Sequence, residues 1–479
     1  MKKFIDRSLK NILFFLIVTI SFNNCTKAST ADTTKPVIPS VQSTIDFWLT
    51  TANKSSLLQK QTTALTFNSA GNSNPTIIVD STQTYQTIDG FGFALTGGSA
   101  YLINSLAEPA KDALLKELFT TDSTFIGINY LRISVGASDL SANVFSYDDI
   151  IGDTTLSKFN ITAGDKEVIP ILQKIIALNP SIKILATPWS PPTLMKSNNS
   201  SIGGSLLPAY YNTYAKYLVK YIQTMQANGI FITAITPQNE PLYGGNNPSM
   251  VMQATEERDF IKYSLGPAFQ SAGIKTKIIA YDHNADRPDY PITILNDSLA
   301  ATFVDGSAFH LYAGDISALT TVHNSFPSKN VYFTEQWVGG PSNFSGDLDW
   351  HVKTLIIGAT RNWSKNVIEW NLASDPNYQP HTIGGCTTCL GALTISQNVS
   401  RNVSYYIIGH ASKFVMPGAW RIASNIPTLL PNVAFQNPNG KKILIVLNDS
   451  NSAQSFNIQF NSKTASTTLD AGAVGTFIW

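Results

Sequence analysis

The chain has 479 residues, of which 43% are hydrophobic, 11% aromatic and only 14% charged. Lysine and arginine (33) balance aspartate and glutamate (32) to a formal net charge of +1, which argues against nucleic acid or an anionic membrane surface as the main partner. The length predicts a large domain with a smaller companion, and low charge with many aromatics suits an exported protein that handles neutral, hydroxylated ligands.

Residues 1–25 read as an export signal: Lys2, Lys3, Arg7 and Lys10 precede the apolar run Ile12–Ile20, which is too short to span a bilayer comfortably. Cys25 follows at once, and a Ser/Thr/Pro-rich linker occupies residues 26–44. The pattern resembles a bacterial lipoprotein signal with Cys25 as the lipidated N-terminus, although Phe22-Asn23-Asn24 departs from the small residues usual there. Plain secretion is the alternative, and any membrane attachment is expected through this anchor alone.

Residues 45–87 carry short alternating segments such as Thr76–Asp80, expected as the N-terminal strands of a β-sandwich. The glycine-rich stretch Asp89–Gly98 lacks the lysine and Ser/Thr of a phosphate loop, so its glycines point to tight backbone packing at a barrel entrance. From there strand-like and helix-like segments alternate. The candidate strands are Gly90–Leu95, Asn129–Val135, Ile182–Thr187, Phe231–Ile235, Lys277–Tyr281, Ser307–Tyr312, Val331–Thr334 and Val367–Trp370, with helical stretches such as Tyr210–Ala227 between them. This α/β pattern over residues 88–414 predicts a (β/α)8 TIM barrel. Residues 415–479 return to strands, among them Lys442–Leu447, Phe456–Phe460 and Gly475–Trp479. They are expected to pair with the N-terminal strands in one sandwich that braces the barrel or binds polysaccharide.

Two strand ends carry the chemistry. Phe231–Ile235 stops at Thr236-Pro237-Gln238-Asn239-Glu240-Pro241, where two prolines stiffen the backbone around a carboxylate. Asn330–Thr334 ends likewise in Glu335 beside Gln336 and Trp337. Carboxylates at the C-terminal ends of barrel strands sit where catalytic residues gather, and glycoside hydrolysis needs two of them flanking one bond.

Six motifs together resemble glycoside hydrolase family 30: Gly90-Phe-Gly-Phe-Ala-Leu-Thr96, Leu131-Arg-Ile-Ser134, Ala186-Thr-Pro-Trp-Ser-Pro-Pro-Thr193, Thr236–Pro241, Phe333-Thr-Glu335 and Glu369-Trp-Asn371. The likeness runs in order from about Gln86 to the last residue. It implies a TIM barrel with an attached β-sandwich and a retaining mechanism, with Glu240 as acid/base and Glu335 as nucleophile. It also implies that Asn239 bonds the sugar 2-hydroxyl and that Arg132 fixes the carboxylates. Asp139, Trp189 and Trp370 would grip the non-reducing glucose, and His310 and Tyr312 would line the ring. Trp337 is a candidate stacking wall. Retention requires Glu240 protonated and Glu335 ionised before cleavage, an order that Arg132 is expected to set by holding Glu335 low. No metal or organic cofactor is implied.

Cys386 and Cys389, in Gly384-Gly-Cys-Thr-Thr-Cys-Leu-Gly391, lack the partner ligands of a zinc site. The spacing alone leaves a redox-active pair open, but an exported protein favours a small disulfide stiffening the loop. The loop looks like that of the β-1,6-glucanase branch of the family. A monomeric β-1,6-glucanase acting on polysaccharide in the cell envelope is therefore the leading expectation. The alternatives are a glucosylceramidase or β-glucosidase activity and a carbohydrate-binding lipoprotein that has lost turnover.

Overall fold

The structure, a computed structural model, describes residues 44–150, 153–162 and 164–479. The export signal, Cys25 and the linker up to residue 43 lie outside the described residues. Eight strands close into a barrel: β1 Gly90–Ala94, β2 Tyr130–Val135, β3 Lys183–Pro188, β4 Ala234–Ile235, β5 Lys277–Ala285, β6 Val304–Gly314, β7 Asn330–Glu335 and β8 Ser364–Asn371. Each neighbouring pair is parallel, as the alternation of strand and helix patterns requires.

The eight expected strands are the eight observed, although one is shorter. Of Phe231–Ile235 only Ala234 and Ile235 form regular ladders, and Phe231 is 66% exposed. The preceding helix ends at Ala227 and turns through Gly229 at φ 78°, so the next residues are used to reach the barrel. Thr233 still donates its amide to the Ile184 carbonyl at 2.8 Å.

Strand side chains alternate between the barrel interior and the surrounding helices. Tyr130, Leu185, Ala234, Ile279, Ala308, Tyr332 and Ile368 fill the interior as one buried layer, drawn from every strand except β1. The outward-facing positions pack against amphipathic helices such as Tyr211–Ala227. The glycines of β1 do pack tightly: a Cβ on Gly92 would stand 1.8 Å from the Tyr130 carbonyl oxygen.

A second core lies in the sandwich, around Ile77, Ile422, Leu444, Val446, Phe456 and Phe477. Thr44–Thr50 pairs with Val474–Ile478, which pairs in turn with Lys442–Leu447. Thr76–Thr87 joins Trp420–Ser424 through its later residues and Gln454–Phe460 through its first. N-terminal and C-terminal strands thus share their sheets.

Gly92→Ala is expected to cost about 2–3 kcal/mol by overpacking against a backbone atom that cannot move aside. A lowered urea midpoint for folded protein is the measurement.

Candidate active site

Two residues further along each strand, above the apolar layer, the interior turns polar. Arg132 on β2, Thr187 on β3, Thr236 just beyond β4, His310 on β6 and Thr334 on β7 all reach it, with Trp370 on β8 beside them. Strand β5 breaks the count. Ile279 faces inward, but both Ala280 and Tyr281 pack outward, and Asp282 takes the next inward place. Tyr281 and His283 pair with consecutive residues of β6, Ala308 and Phe309, so one extra residue is inserted as a β-bulge.

Asp282 is the centre of the polar layer. Its carboxylate accepts from Arg132 Nη2 at 2.8 Å, Thr236 at 2.9 Å and Thr334 at 2.6 Å, and meets His310 Nε2 at 3.2 Å. Arg132 also donates Nη1 to Glu335 and Nη2 to Asn239 Oδ1 at 2.7 Å. That contact turns the Asn239 carbonyl inward and leaves its amide group toward the cleft. Tyr312 donates its hydroxyl to Glu335 at 2.9 Å, and His310 Nδ1 stands 3.2 Å from Glu240 and 3.7 Å from Glu335. One oxygen of Glu240, one of Glu335 and a nitrogen of His310 lie within 4.8 Å of one another.

A cleft of about 410 Å³ opens above these groups. Asp139, Trp189, Asn239, Glu240, Tyr312, Glu335, Trp337, Trp370, Cys386 and Cys389 line it, joined by Tyr243, Asn246, His283 and Asn284. Arg132 and His310 do not: both are fully buried beneath the floor, where Asp282 draws them down. The Arg132 guanidinium lies 4.8 Å from the Trp189 ring and 5.6 Å from Trp370, so the two indoles cover it from the cleft side.

Cys386 and Cys389 are joined as a disulfide with Cα atoms 5.7 Å apart. The loop it closes is zipped to the segment after β7, with Val338 opposite Leu390 and Gly339 opposite Cys389. The Cys386 amide donates to Asp139 Oδ2 at 3.3 Å, while Asp139 Oδ1 is buried without a hydrogen-bond partner among the described residues.

The charges differ from the expected order. Burial pushes the Glu335 carboxyl above its usual range, outweighing the pull of His310 and Arg132. Glu240 is also raised by burial, but the hydrogen bond and charge of His310 carry it below its usual range. The expectation that Arg132 alone would set the pair omitted His310. Burial disfavours its charge, yet Glu335 and the bonds to Asp282 and Glu240 raise the imidazole to about 9. Burial and the Glu335 charge push Asp139 up to about 7, and burial lowers His283 to about 4, leaving it neutral.

Sequence reading missed Asp282, Tyr243, Asn246, His283 and Asn284. Asp282 and His283 directly follow a predicted strand, the position that marks function in a barrel, so a signal existed for them. Tyr243 and Asn246 sit in a loop whose course the sequence does not specify.

Two carboxylates at the ends of β4 and β7, above a buried guanidinium in a parallel barrel, form the arrangement that glycoside hydrolysis uses. The chain matches the Glycosyl hydrolase family 30 TIM-barrel domain over residues 88–415 and the family's beta sandwich domain over residues 418–477. It belongs to glycoside hydrolase family 30, as its motifs had suggested. It is 39% identical to an Endo-1,6-beta-D-glucanase of Neurospora crassa over 70% of this chain and 71% of that one. It is 27% identical to the Lysosomal acid glucosylceramidase of Mus musculus over 82% and 81%. The solved structure of the endo-beta1,6-glucanase BT3312 is similar at TM-score 0.85 and 34% identity, over 91% of this chain and 99% of that one.

A histidine raised from 6.5 to about 9 binds its proton more tightly folded than unfolded. Its stabilising contribution is complete below pH 6.5 and is lost as pH rises through 9. His310→Asn should therefore flatten the decline in urea midpoint between those values relative to the parent protein.

Proposed function

We propose that this chain is a retaining β-1,6-glucanase that works by double displacement. The observation that carries the reading is the closeness of the Glu240 and Glu335 oxygens, within 4.8 Å. Retaining enzymes place their carboxyl groups about 5–5.5 Å apart, whereas inverting ones leave room for a water between them.

In the first step a Glu335 oxygen attacks the anomeric carbon, the glycosidic C–O bond breaks, and Glu240 gives its proton to the departing oxygen. A glycosyl ester on Glu335 results. In the second step Glu240 takes a proton from water, the water oxygen attacks the anomeric carbon, and Glu335 is released. Arg132 and Tyr312 bond the Glu335 carboxylate that leaves at the end of each cycle. The Glu240 proton is held in the contact with His310: an imidazolium beside a carboxylate and an imidazole beside a carboxylic acid differ by one proton moving across 3.2 Å. In this reading the Asn239 amide donates to the sugar 2-hydroxyl and Asp139 Oδ1 accepts from a sugar hydroxyl, supported by the Arg132 bond that occupies Asn239 Oδ1 and by the unpartnered Asp139 oxygen.

The choice of a β-1,6-linked glucan rests on the Neurospora crassa and BT3312 likenesses and on the disulfide loop in the cleft wall. We place the enzyme outside the cytoplasm, held through Cys25, on the strength of the N-terminal sequence. Among the described residues no helix is long and apolar enough to cross a membrane.

The test is hydrolysis of linear β-1,6-glucan beside an aryl β-glucoside and glucosylceramide, with products sized by chromatography. Short β-1,6-linked oligosaccharides from the glucan are expected, with little action on the lipid. Cleavage confined to the lipid or the aryl glucoside moves the enzyme to the glucosylceramidase-like activity, and inactivity on all three supports a binding protein.

Glu335→Gln and Glu240→Gln should each lower kcat on the glucan by about 10³-fold or more. Azide should accelerate Glu240→Ala on an activated aryl glucoside, giving a β-glucosyl azide, because the anion replaces water without needing a base.

A further inference from the structure

The β5 bulge does more than turn Asp282 inward. Tyr281 and Asp282 both have left-handed backbone, at φ 79° and 67°, inside a strand where extended backbone is the rule. Two consecutive non-glycine residues rarely hold this conformation unless the surroundings fix it. On the inner side the Asp282 carbonyl accepts the amide of Glu240 at 3.0 Å, and His283 Nδ1 accepts the amide of Leu242 at 3.2 Å. Glu240 itself is left-handed, at φ 44°. The bulge therefore touches the catalytic machinery through backbone as well as through the Asp282 side chain.

On the outer side the Tyr281 amide stands where the pairing of β5 with β6 shifts register. It donates to Glu257 Oε1 at 2.9 Å. Glu257 lies on the helix Ala254–Phe260, is fully buried, and forms no ion pair among the described residues. Its other oxygen meets the Tyr290 hydroxyl at 2.8 Å, and that hydroxyl is also 2.8 Å from the Met252 carbonyl. Tyr290 packs its ring against Tyr281 with centroids 4.8 Å apart. A buried carboxyl group facing no cation is costly to keep for packing alone. Here its acceptor oxygen meets the amide of Tyr281, a left-handed residue of the bulge.

We propose that Glu257 is a positioning residue for catalysis: by accepting the Tyr281 amide it latches the β5 bulge, and the bulge sets the places of Asp282, His310 and the Glu240 backbone. Glu257 touches neither substrate nor a catalytic carboxylate. Its effect passes through two residues of strained main chain. A glutamine fits the role equally well, since its carbonyl oxygen accepts the same bond. A leucine of similar size fills the space and removes the acceptor that the Tyr281 amide uses.

The inference rests on the hydrolytic reading of the cleft, and its test separates the two. Parent, Glu257→Gln and Glu257→Leu proteins are compared for kcat and KM on a soluble β-1,6-linked oligosaccharide, per active site titrated with a 2-fluoro glucosyl inactivator. Hydrogen exchange of the peptide containing Tyr281 is measured in parallel. The expected result is a kcat about 10²-fold lower in the leucine variant with KM within about twofold. The glutamine variant should keep kcat within about threefold, and exchange should quicken at Tyr281 only in the leucine variant. A purely structural role would lower the number of titratable sites and leave kcat per site unchanged, which overturns the proposal. Equal losses in both variants also overturn it, because the acceptor oxygen would then not be what matters. If the leucine variant fails to fold, Tyr290→Phe releases the other oxygen of Glu257. Faster exchange at Tyr281 with a several-fold loss of kcat supports the latch, and faster exchange with unchanged kcat refutes it. If the parent neither turns over nor binds the inactivator, the hydrolase reading fails, while exchange still reports whether Glu257 holds the bulge.

Discussion

The contact between Arg132 and Asp282 is the constraint on which the catalytic end of the barrel depends. A guanidinium with no solvent exposure must be matched by fixed negative charge, or the fold loses several kcal/mol. Asp282 supplies that charge, and its carboxyl is held well below the usual range by Arg132 and His310 in spite of burial. With Arg132 anchored from below, Nη1 is left to Glu335 and part of Nη2 to Asn239. Counted together, two cations, Arg132 and His310, face three carboxyls, Asp282, Glu240 and Glu335. With all three carboxyls ionised the cluster carries one net negative charge, and it becomes neutral when one carboxyl of the pair takes up a proton.

The framework of this fold was legible in the sequence because it follows from periodicity. Strand-length runs rich in β-branched residues, separated by amphipathic helical stretches, have few arrangements other than a parallel barrel. Glu240 and Glu335 stood out because each ended such a run, and the family motifs added Arg132, Asn239 and the tryptophans. The inward orientation of Asp282 was hidden for a physical reason. Counting by twos along β5 from Ile279 puts Tyr281 inside and Asp282 outside, and a single inserted residue reverses both. The influence of His310 on the two glutamates was hidden for a related reason. It depends on His310 at the end of β6 standing within hydrogen-bonding distance of Glu240 beyond β4, a contact between residues 70 apart in the chain.

The walls of the cleft follow a different logic from its floor. The floor consists of strand ends, each fixed by the barrel. The walls are loops that brace one another: the segment after β7 pairs with the disulfide loop after β8, and that loop bonds Asp139 from the loop after β2. Gln238 adds a further tie, donating to the Trp189 carbonyl at 2.7 Å across the ends of β3 and β4. Such loops hold a shape without being part of the sheet, so the family can vary what fits the cleft while leaving the reacting groups in place.

The sandwich joins Thr44–Thr50 to Val474–Ile478, and buried His410 ties them together, its ring nitrogens 2.8 Å from Thr50 and Thr476. During synthesis the barrel is complete long before its clasp. Every residue of the barrel has left the ribosome while Thr44–Thr50 still waits, an unpaired edge, for a partner more than four hundred residues downstream. The nascent chain therefore passes through an interval in which a finished catalytic barrel carries an open strand. Fidelity of folding in this protein is decided by how that edge is kept from other chains until residue 478 arrives.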